Sequence, residues 1–166
     1  MRRFRVSRIG LIVLALAGAT PPAAEGLAPH GPFILTVSGA IDAPSPVRFD
    51  LAMLRVLPGH TIRTTSPWTD GVATFRGPLL RTVLAAVGAR GTTITARALN
   101  DYAAAIPIAD ARRYPVLLAL TRDGEPLSRR DKGPIWIVYP QDSYPELKTP
   151  VVHQRWVWQL HRLEVR

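Results

Sequence analysis

Apolar positions alternate with polar ones over several short segments of this chain, which predicts β-strands. Residues 33–39 (FILTVSG) combine aromatic and β-branched residues with a closing glycine, and residues 60–66 and 92–99 have a similar character. Residues 135–139 (IWIVY) are apolar throughout, which indicates a buried strand. Residues 156–165 alternate again and predict a closing strand with one buried face.

Two segments carry helical signals. Residues 47–54 begin as a strand, and Asp50 is a suitable N-cap for a short helix that follows it. In residues 75–88 (FRGPLLRTVLAAVG) the apolar side chains recur at helical spacing, Pro78 suits a first turn, and Gly88 suits a C-terminal cap. The pattern predicts that residues 75–88 form the main helix, with its apolar stripe on the core.

The second half of the chain completes the prediction of the fold class. Residues 106–109 predict a turn or a short helix, and residues 116–122 followed by Asp123–Gly124 predict a hairpin. Short strands around one dominant helix indicate an α+β domain with a mixed β-sheet and few helices. At 166 residues, 47% of them hydrophobic, the chain is long enough for one domain with a core.

The N-terminus has the pattern of a secretory signal peptide. Four arginines among the first eight residues precede the apolar run 9–19, and alanines in A-x-A spacing follow. About eleven apolar residues are too few to span a bilayer, which needs roughly twenty, so a retained anchor is the weaker alternative. We expect residues 1–24 to be a cleaved signal peptide, residues 25–166 to form the domain, and the protein to be periplasmic.

Charge and composition narrow the classes of function. Without those four arginines, 17 basic and 12 acidic residues leave a net charge of +5, and no basic run is interleaved with aromatic residues. This pattern argues against nucleic-acid binding. The chain has no cysteine, which excludes disulfides, thiolate metal sites and thiol nucleophiles. The histidines lack metal-ligand spacing, and no hydrolase, P-loop or zincin motif occurs, so we predict no metal site and no catalytic residue.

Three stretches place polar side chains beside aromatic and apolar residues: RTTSPWTDG (63–71), ALNDY (98–102) and RRDKGPIWIVYP (129–140). Together they predict one polar-rimmed cleft. The candidate ligand-binding residues are Ser66, Trp68, Asn100, Asp101, Tyr102, Arg130, Asp131 and Lys132. Each has a structural alternative, since the aromatic residues could belong to the core and the carboxylates could cap helices or pair with arginines. Trp156 and Trp158 are interpreted as core residues.

Six segments carry a resemblance to a known family. In chain order they are FDLAML (49–54), FRGPLLRTVLAAVG (75–88), ALNDYAAAIPIAD (98–110), YPVLLALTRDGEPLS (114–128), KGPIWIVYP (132–140) and LHRLEV (160–165). In this order and spacing they resemble the oxidoreductase molybdopterin-binding domain of the sulfite oxidase family. The resemblance implies the α+β sulfite-oxidase fold, with a pterin cofactor held in a cleft between loops.

The chain departs from the family pattern at the residue that binds the metal. The enzymes of the family bind molybdenum through a cysteine placed soon after the strand that precedes the main helix, and the corresponding residues here are Thr64, Thr65 and Ser66. Hydroxyls are poorer donors than thiolate, so an intact molybdenum enzyme would need a serine in that role. The family's arginine after the glycine–proline pair is also replaced, by Trp136. Molybdenum is therefore not expected as a cofactor.

The organic part of the cofactor still fits the candidate residues. A pterin is a flat bicycle with donors beside acceptors, so it needs an aromatic face, a bidentate carboxylate and cationic or amide donors. Trp68 offers the face, Asp101 or Asp131 the carboxylate, and Asn100, Arg130 and Lys132 the donors.

Cysteine-less exported proteins of this kind resemble pterin-binding regulators that act beside a membrane-bound cyclic-di-GMP cyclase/phosphodiesterase. The resemblance implies a small-molecule pterin and the periplasmic domain of a membrane signalling protein as partners. Residues 139–152, rich in proline, tyrosine and polar groups, would contact that protein or form a plain surface loop. The alternative function is a molybdopterin-dependent oxidoreductase of the sulfite oxidase family.

Overall fold

The computed structural model describes residues 31–166, and the predicted signal peptide lies outside these residues. The strands in chain order are β1 (Phe33–Gly39), β2 (Val47–Asp50), β3 (Gly59–Thr64), β4 (Ala73–Pro78), β5 (Thr93–Ala98), β6 (Ala103–Pro107), β7 (Leu117–Ala119), β8 (Thr121–Arg122), β9 (Glu125–Pro126), β10 (Trp136–Val138) and β11 (Leu160–Val165). The helices are α1 (Leu51–Val56), α2 (Leu80–Ala86), α3 (Ile108–Arg113) and α4 (Pro150–His153), with a 3₁₀ turn at Pro145–Leu147.

The largest sheet brings the first and last strands together at its centre. Its order is β2-β1-β11-β5-β6, with β1 and β11 parallel and the other neighbours antiparallel. Alternate residues of β1 and β11, such as Leu35, Val37 and Leu163, are buried, as the period-two pattern predicts. The expected strand at residues 33–39 is confirmed, as is the expected strand at residues 92–99.

A second group of strands carries the site. β3, β4, β8 and β9 form a four-stranded antiparallel sheet, and β7 pairs with β10 beside it. Phe75 of β4 and Trp136 of β10 meet edge to face with ring centroids 5.3 Å apart, and both are fully buried. The mixed sheets and short helices confirm the α+β class and the buried strand within residues 135–139.

Local signals for caps and turns are confirmed in detail. Asp50 caps α1, because its Oδ1 accepts the Met53 backbone N–H at 2.7 Å. Asp123 and Gly124 both have positive φ, as a two-residue hairpin turn between β8 and β9 requires. Gly88 also has positive φ just beyond α2, where a C-terminal cap is expected.

The predicted main helix is wrong over its first third. Residues 75–78 belong to β4, which pairs with β3 over its full length, and the helix begins only at Leu80. Pro78 therefore ends a strand and does not start a helix. Phe75 is drawn into the core by its contact with Trp136, so tertiary packing outweighs the helical spacing that starts at Leu79.

The predicted closing strand is also too long. It starts at Leu160, because Gln159 has a φ of 49°. The pairing of β11 with β5 then shifts register between Leu160 and Arg162. Trp156 and Trp158 precede the strand and approach the loops at one end of the sheets. Strand β6 was not predicted from the sequence, and α3 begins two residues later than the predicted turn or short helix. No helix within residues 31–166 is long and apolar enough to cross a membrane.

Candidate functional site

An open cleft of about 420 Å³ lies where three connections meet: the β3–β4 loop, the β5–β6 turn and the segment from α4 to β11. Its volume is within the range of roughly 300–1,000 Å³ that is usual for small-molecule sites. The lining residues are Pro67, Trp68, Asn100, Tyr102, Pro150, His153, Gln154, Trp156 and Trp158. The cleft is thus mostly aromatic, and within residues 31–166 no carboxylate, lysine or arginine is among its lining residues.

Trp68 is the centre of the aromatic lining. Its ring centroid is 5.4 Å from that of Trp158, 5.9 Å from that of Trp156 and 6.1 Å from that of His153. The Trp158 and His153 rings meet it edge to face, an arrangement favoured by the opposite charges of ring faces and edges. These contacts hold three indoles around one cavity.

Hydrogen bonds of the Ser66 hydroxyl hold Trp68 in place. Ser66 Oγ accepts the Trp68 backbone N–H at 3.2 Å and lies 2.9 Å from Thr69 Oγ1. Such short-range hydrogen bonds are typical of serine at the start of a turn. Ser66 is buried and is not among the lining residues, so its role is to orient Trp68.

Hydrogen bonds connect α4 to the end of β3. Thr149 caps α4 by accepting the Val152 N–H, and Pro150 takes the first helical position. Gln141 Nε2 donates to Thr65 O at 3.0 Å, so its Oε1 accepts from His153 Nε2 at 2.9 Å. His153 therefore carries a proton on Nε2, and its Nδ1 has no hydrogen-bond partner among residues 31–166.

The side chain of Asp142 also binds the residue that follows β3. Its carboxylate accepts the Thr65 N–H at 2.6 Å and the Thr65 hydroxyl at 2.8 Å, and Lys148 Nζ lies 2.8 Å away. The hydrogen bond from Lys148, reinforced by those from Thr65, lowers the pKa of Asp142 to about 2.

The residues at the family's metal-ligand position have their hydroxyls engaged. Thr64 is fully buried, donates to Thr65 O at 3.1 Å and accepts the Asp142 N–H at 3.3 Å. Thr65 donates to Asp142, and the Ser66 hydroxyl belongs to the Trp68 turn. This donor set of hydroxyls without a thiolate does not fit molybdenum.

Three of the eight predicted site residues line the cleft: Trp68, Asn100 and Tyr102. Asn100 Oδ1 accepts the Tyr102 N–H at 3.2 Å, which leaves the Asn100 amino group available. The Tyr102 hydroxyl donates to Gln154 O at 2.8 Å and joins the β5–β6 turn to the end of α4.

The predicted carboxylates and cations lie elsewhere. Asp101 is exposed, has a φ of 66° in the turn and lies 3.9 Å from Arg97. Asp131 binds Arg122 Nη2 at 2.7 Å and approaches Lys132 Nζ at 3.5 Å. Lys132 Nζ also lies 5.5 Å from the centroid of the Trp136 ring, in the range of a cation–π contact. The fourth of these residues, Arg130, is exposed and does not line the cleft.

The part of the cleft that follows the 3₁₀ turn was not predicted from the sequence. Pro150, His153, Gln154, Trp156 and Trp158 all line the cavity. Trp156 is also a core residue, as expected, but Trp158 is only half buried. The available signal was the concentration of one histidine and two tryptophans within six residues, but the alternation of residues 156–165 favoured a strand for the two tryptophans.

Gln154 is the most useful polar group in the cleft. Its side-chain amide has no hydrogen-bond partner among the residues that the structure describes, and the residue is exposed at the cavity. A primary amide offers a donor and an acceptor side by side. It can therefore pair with a ring lactam, which presents an N–H beside a carbonyl oxygen.

A partly buried ionic cluster adjoins the cleft at Trp156. Arg155 Nη1 binds Asp110 Oδ2 at 2.7 Å, and the Tyr139 hydroxyl donates to the same oxygen at 2.9 Å. Burial, followed by the nearby Asp110 carboxylate, raises the pKa of Tyr139. The Tyr139 ring is stacked on Trp156 with centroids 6.3 Å apart. The cluster thus joins α3 and β10 to the residues that carry the cleft.

Comparisons with known proteins agree with this architecture. Residues 25–144 match the family model of the oxidoreductase molybdopterin binding domain. No curated protein sequence matches the chain. Among solved structures, the chain is similar to the crystal structure of the sulfane dehydrogenase SoxCD from Paracoccus pantotrophus, with a TM-score of 0.60 and 20% identity. The similarity covers 80% of this chain and 38% of that chain, so this chain spans well under half of its length.

Proposed function

Because the chain belongs to the oxidoreductase molybdopterin binding domain family, we propose that its aromatic cleft binds a pterin without molybdenum. The family and the similar structure support a sulfite-oxidase-type fold and a ligand of the pterin kind. The observation that carries the proposal is the grouping of Trp68, Trp156 and Trp158 around one cavity that also presents an unpaired primary amide.

The pterin bicycle suits both features of the cleft. Its flat ring can lie against an indole, a contact worth about 1–3 kcal/mol for a nucleobase, which is a comparable flat heterocycle. Its N3–H and O4 can pair with the Gln154 amide, and the Asn100 amino group can donate to a ring acceptor. Recognition would then use neutral amides in place of the carboxylate that the sequence predicted.

The complete molybdopterin fits less well than its ring system. It carries a phosphate ester and a dithiolene that holds the metal, and the cleft is lined by no lysine or arginine for the phosphate. The hydroxyls of residues 64–66 are already hydrogen bonded, as described above. These features support a metal-free, unphosphorylated pterin as the ligand.

Titration calorimetry with neopterin and with 6-hydroxymethylpterin tests the proposal. For a ligand of about 18 heavy atoms we expect a binding free energy of roughly 5–9 kcal/mol, which corresponds to a dissociation constant between about 200 µM and about 0.3 µM. Absence of heat and of tryptophan quenching at millimolar ligand would refute it.

We further propose that the protein is periplasmic and that the pterin-bound form regulates a membrane-bound cyclic-di-GMP cyclase/phosphodiesterase through its periplasmic domain. Val151 of α4 and Tyr102 of the β5–β6 turn are large apolar residues exposed at 60% and 45% beside the cleft. A ligand that orders these two segments would change the surface that a partner binds, which is what regulation by a ligand requires.

Cellular cyclic-di-GMP provides the test of this second proposal. In a strain that lacks the gene, complementation with the wild-type gene should restore the cyclic-di-GMP level, and Trp68→Ala should not. A Val151→Ser variant should retain pterin binding and lose the cellular effect. If the Trp68→Ala gene restores the level as well as the wild-type gene, the regulatory proposal is wrong.

A molybdopterin-dependent oxidoreductase is the second candidate, favoured by the family match and by the similarity of the fold to a dehydrogenase. In that case Ser66 would have to leave its turn and bind the metal. Production in a host that makes the molybdenum cofactor, followed by elemental analysis and assays with sulfite and a sulfoxide, distinguishes the two. Stoichiometric molybdenum together with turnover would favour the enzyme.

A further inference from the structure

A second cavity, of about 340 Å³, lies at the opposite end of β3 from the aromatic cleft. It is bounded by the end of α1, the start of β3, the end of β4 and the β7–β8 connection, and it shares no lining residue with the cleft. The six residues of β3 separate the two cavities by roughly 17 Å at about 3.4 Å per residue.

Two arginines line this second cavity without an acidic partner. Arg55 is in the last turn of α1, and Arg76 is on β4 opposite Thr61 of β3. Both are exposed, and among residues 31–166 neither forms an ion pair or donates a side-chain hydrogen bond. In the part of the chain that the structure describes, no acidic residue lines the cavity.

One of these side chains lies close to the start of β3. Gly59 begins β3, and a β-carbon at that position would lie 3.9 Å from Arg76 Nε, so the guanidinium lies over the glycine. Thr121 adds a hydroxyl to the lining, and Leu57, Leu120 and Pro78 provide an apolar floor. The cavity therefore combines two guanidinium groups with an apolar surface.

We propose that this cavity binds a phosphate group carried on an apolar body. A guanidinium can donate two parallel hydrogen bonds to one anion. A tetrahedral phosphate has enough oxygens to accept such a pair from each of two guanidinium groups, whereas one guanidinium already occupies both oxygens of a carboxylate. The apolar floor would contact the adjoining carbon skeleton. The same chemistry is presented by a soluble phosphate ester and by the headgroup of an anionic phospholipid.

Two probes distinguish these sources. Phenyl phosphate represents the soluble ester, and its binding to the protein is measured by calorimetry. Co-sedimentation with phosphatidylglycerol–phosphatidylcholine vesicles, compared with phosphatidylcholine vesicles alone, represents the lipid. We expect phenyl phosphate to bind in either case, and we expect binding to the phosphatidylglycerol vesicles only if the natural ligand is a headgroup at a membrane surface.

Three variants make the test specific. Arg55→Gln and Arg76→Gln should each weaken binding of phenyl phosphate about tenfold, because each removes a charge-assisted contact. Arg63→Gln is the matched control, since Arg63 is an exposed arginine of β3 outside the cavity lining, and it should change the affinity less than twofold. Pterin binding in the other cleft should be unaffected by all three.

Failure to bind either probe would overturn the proposal. So would an equal loss of affinity in all three variants, because that result indicates diffuse attraction to a basic surface. Since the second cavity shares no residue with the aromatic cleft, these outcomes are independent of whether pterin binds.

Discussion

The ring of Trp68 meets the ring of Trp158 edge to face, with their centroids 5.4 Å apart. Trp68 belongs to the β3–β4 loop and Trp158 to the approach to β11, so the cleft depends on two distant parts of the chain meeting. A site of this kind is built by the fold and not by a local motif.

Trp68→Ala should weaken neopterin binding about tenfold or more, because one aromatic face of the cleft is removed. Val72→Ala is the control, since Val72 is exposed in the same loop and does not line the cleft. Calorimetry on both variants, with thermal unfolding to confirm folding, provides the measurement. Equal affinity of the Trp68→Ala and Val72→Ala proteins would show that the pterin binds elsewhere.

Gln154→Ala should weaken neopterin binding by about 1–2 kcal/mol, a factor of roughly 5 to 30, because the paired amide is lost. Asp101→Ala and Asp131→Ala should change the affinity less than twofold, since neither carboxylate lines the cleft. Fluorescence quenching on the three variants measures this difference. A large loss of neopterin affinity in either aspartate variant would instead support the sequence-based prediction that Asp101 or Asp131 binds the pterin.

The sequence predicted the elements whose signals are local. Asp50 as a helix cap and Asp123–Gly124 as a hairpin turn were confirmed, because the short-range hydrogen bond and the positive φ are properties of a few neighbouring residues. Phe75 was wrongly placed in a helix, because its position is decided by contact with Trp136, which lies much later in the chain.

The candidate site was only partly predictable for a related reason. Trp68, Asn100 and Tyr102 were found because each lies beside a turn signal. Trp158 was missed because the alternation of residues 156–165 predicts one continuous strand, whereas Gln159 adopts positive φ without being a glycine and the strand begins only at Leu160. His153 was missed because it lies before that segment and has no metal-ligand spacing. Asp131 was assigned to the ligand, whereas it pairs with Arg122, nine residues earlier, within the same hairpin region.

Asp142→Asn should destabilise the protein by about 1 kcal/mol at neutral pH, a value reduced for solvent screening of a partly exposed group. The pKa of Asp142 is lowered to about 2 in the folded protein, from the ordinary value of 3.8 for an aspartate. Its stabilising contribution is therefore complete above about pH 5 and is lost as the pH falls from about 4 to 2. Urea unfolding at pH 7 and pH 2.5 should show the difference between wild type and variant shrinking. A difference that is unchanged at the lower pH would contradict this account.

Asp110→Asn should cost about 2 kcal/mol of unfolding free energy, because the partly buried Arg155 charge loses its ionic partner and the Tyr139 hydroxyl keeps only a neutral acceptor. Tyr139→Phe removes one hydrogen bond and should cost about 1 kcal/mol. Chemical denaturation of both variants and of the double variant measures the coupling. Additive effects would show that Tyr139 and Asp110 do not act together.

The most direct test of the central claim combines pterin titration with metal analysis on one preparation of protein made in a host that supplies the molybdenum cofactor. We predict that the protein contains no stoichiometric molybdenum and binds one neopterin per chain, with quenching of tryptophan fluorescence that Trp68→Ala removes. One molybdenum per chain, together with no binding of added neopterin, would contradict the account.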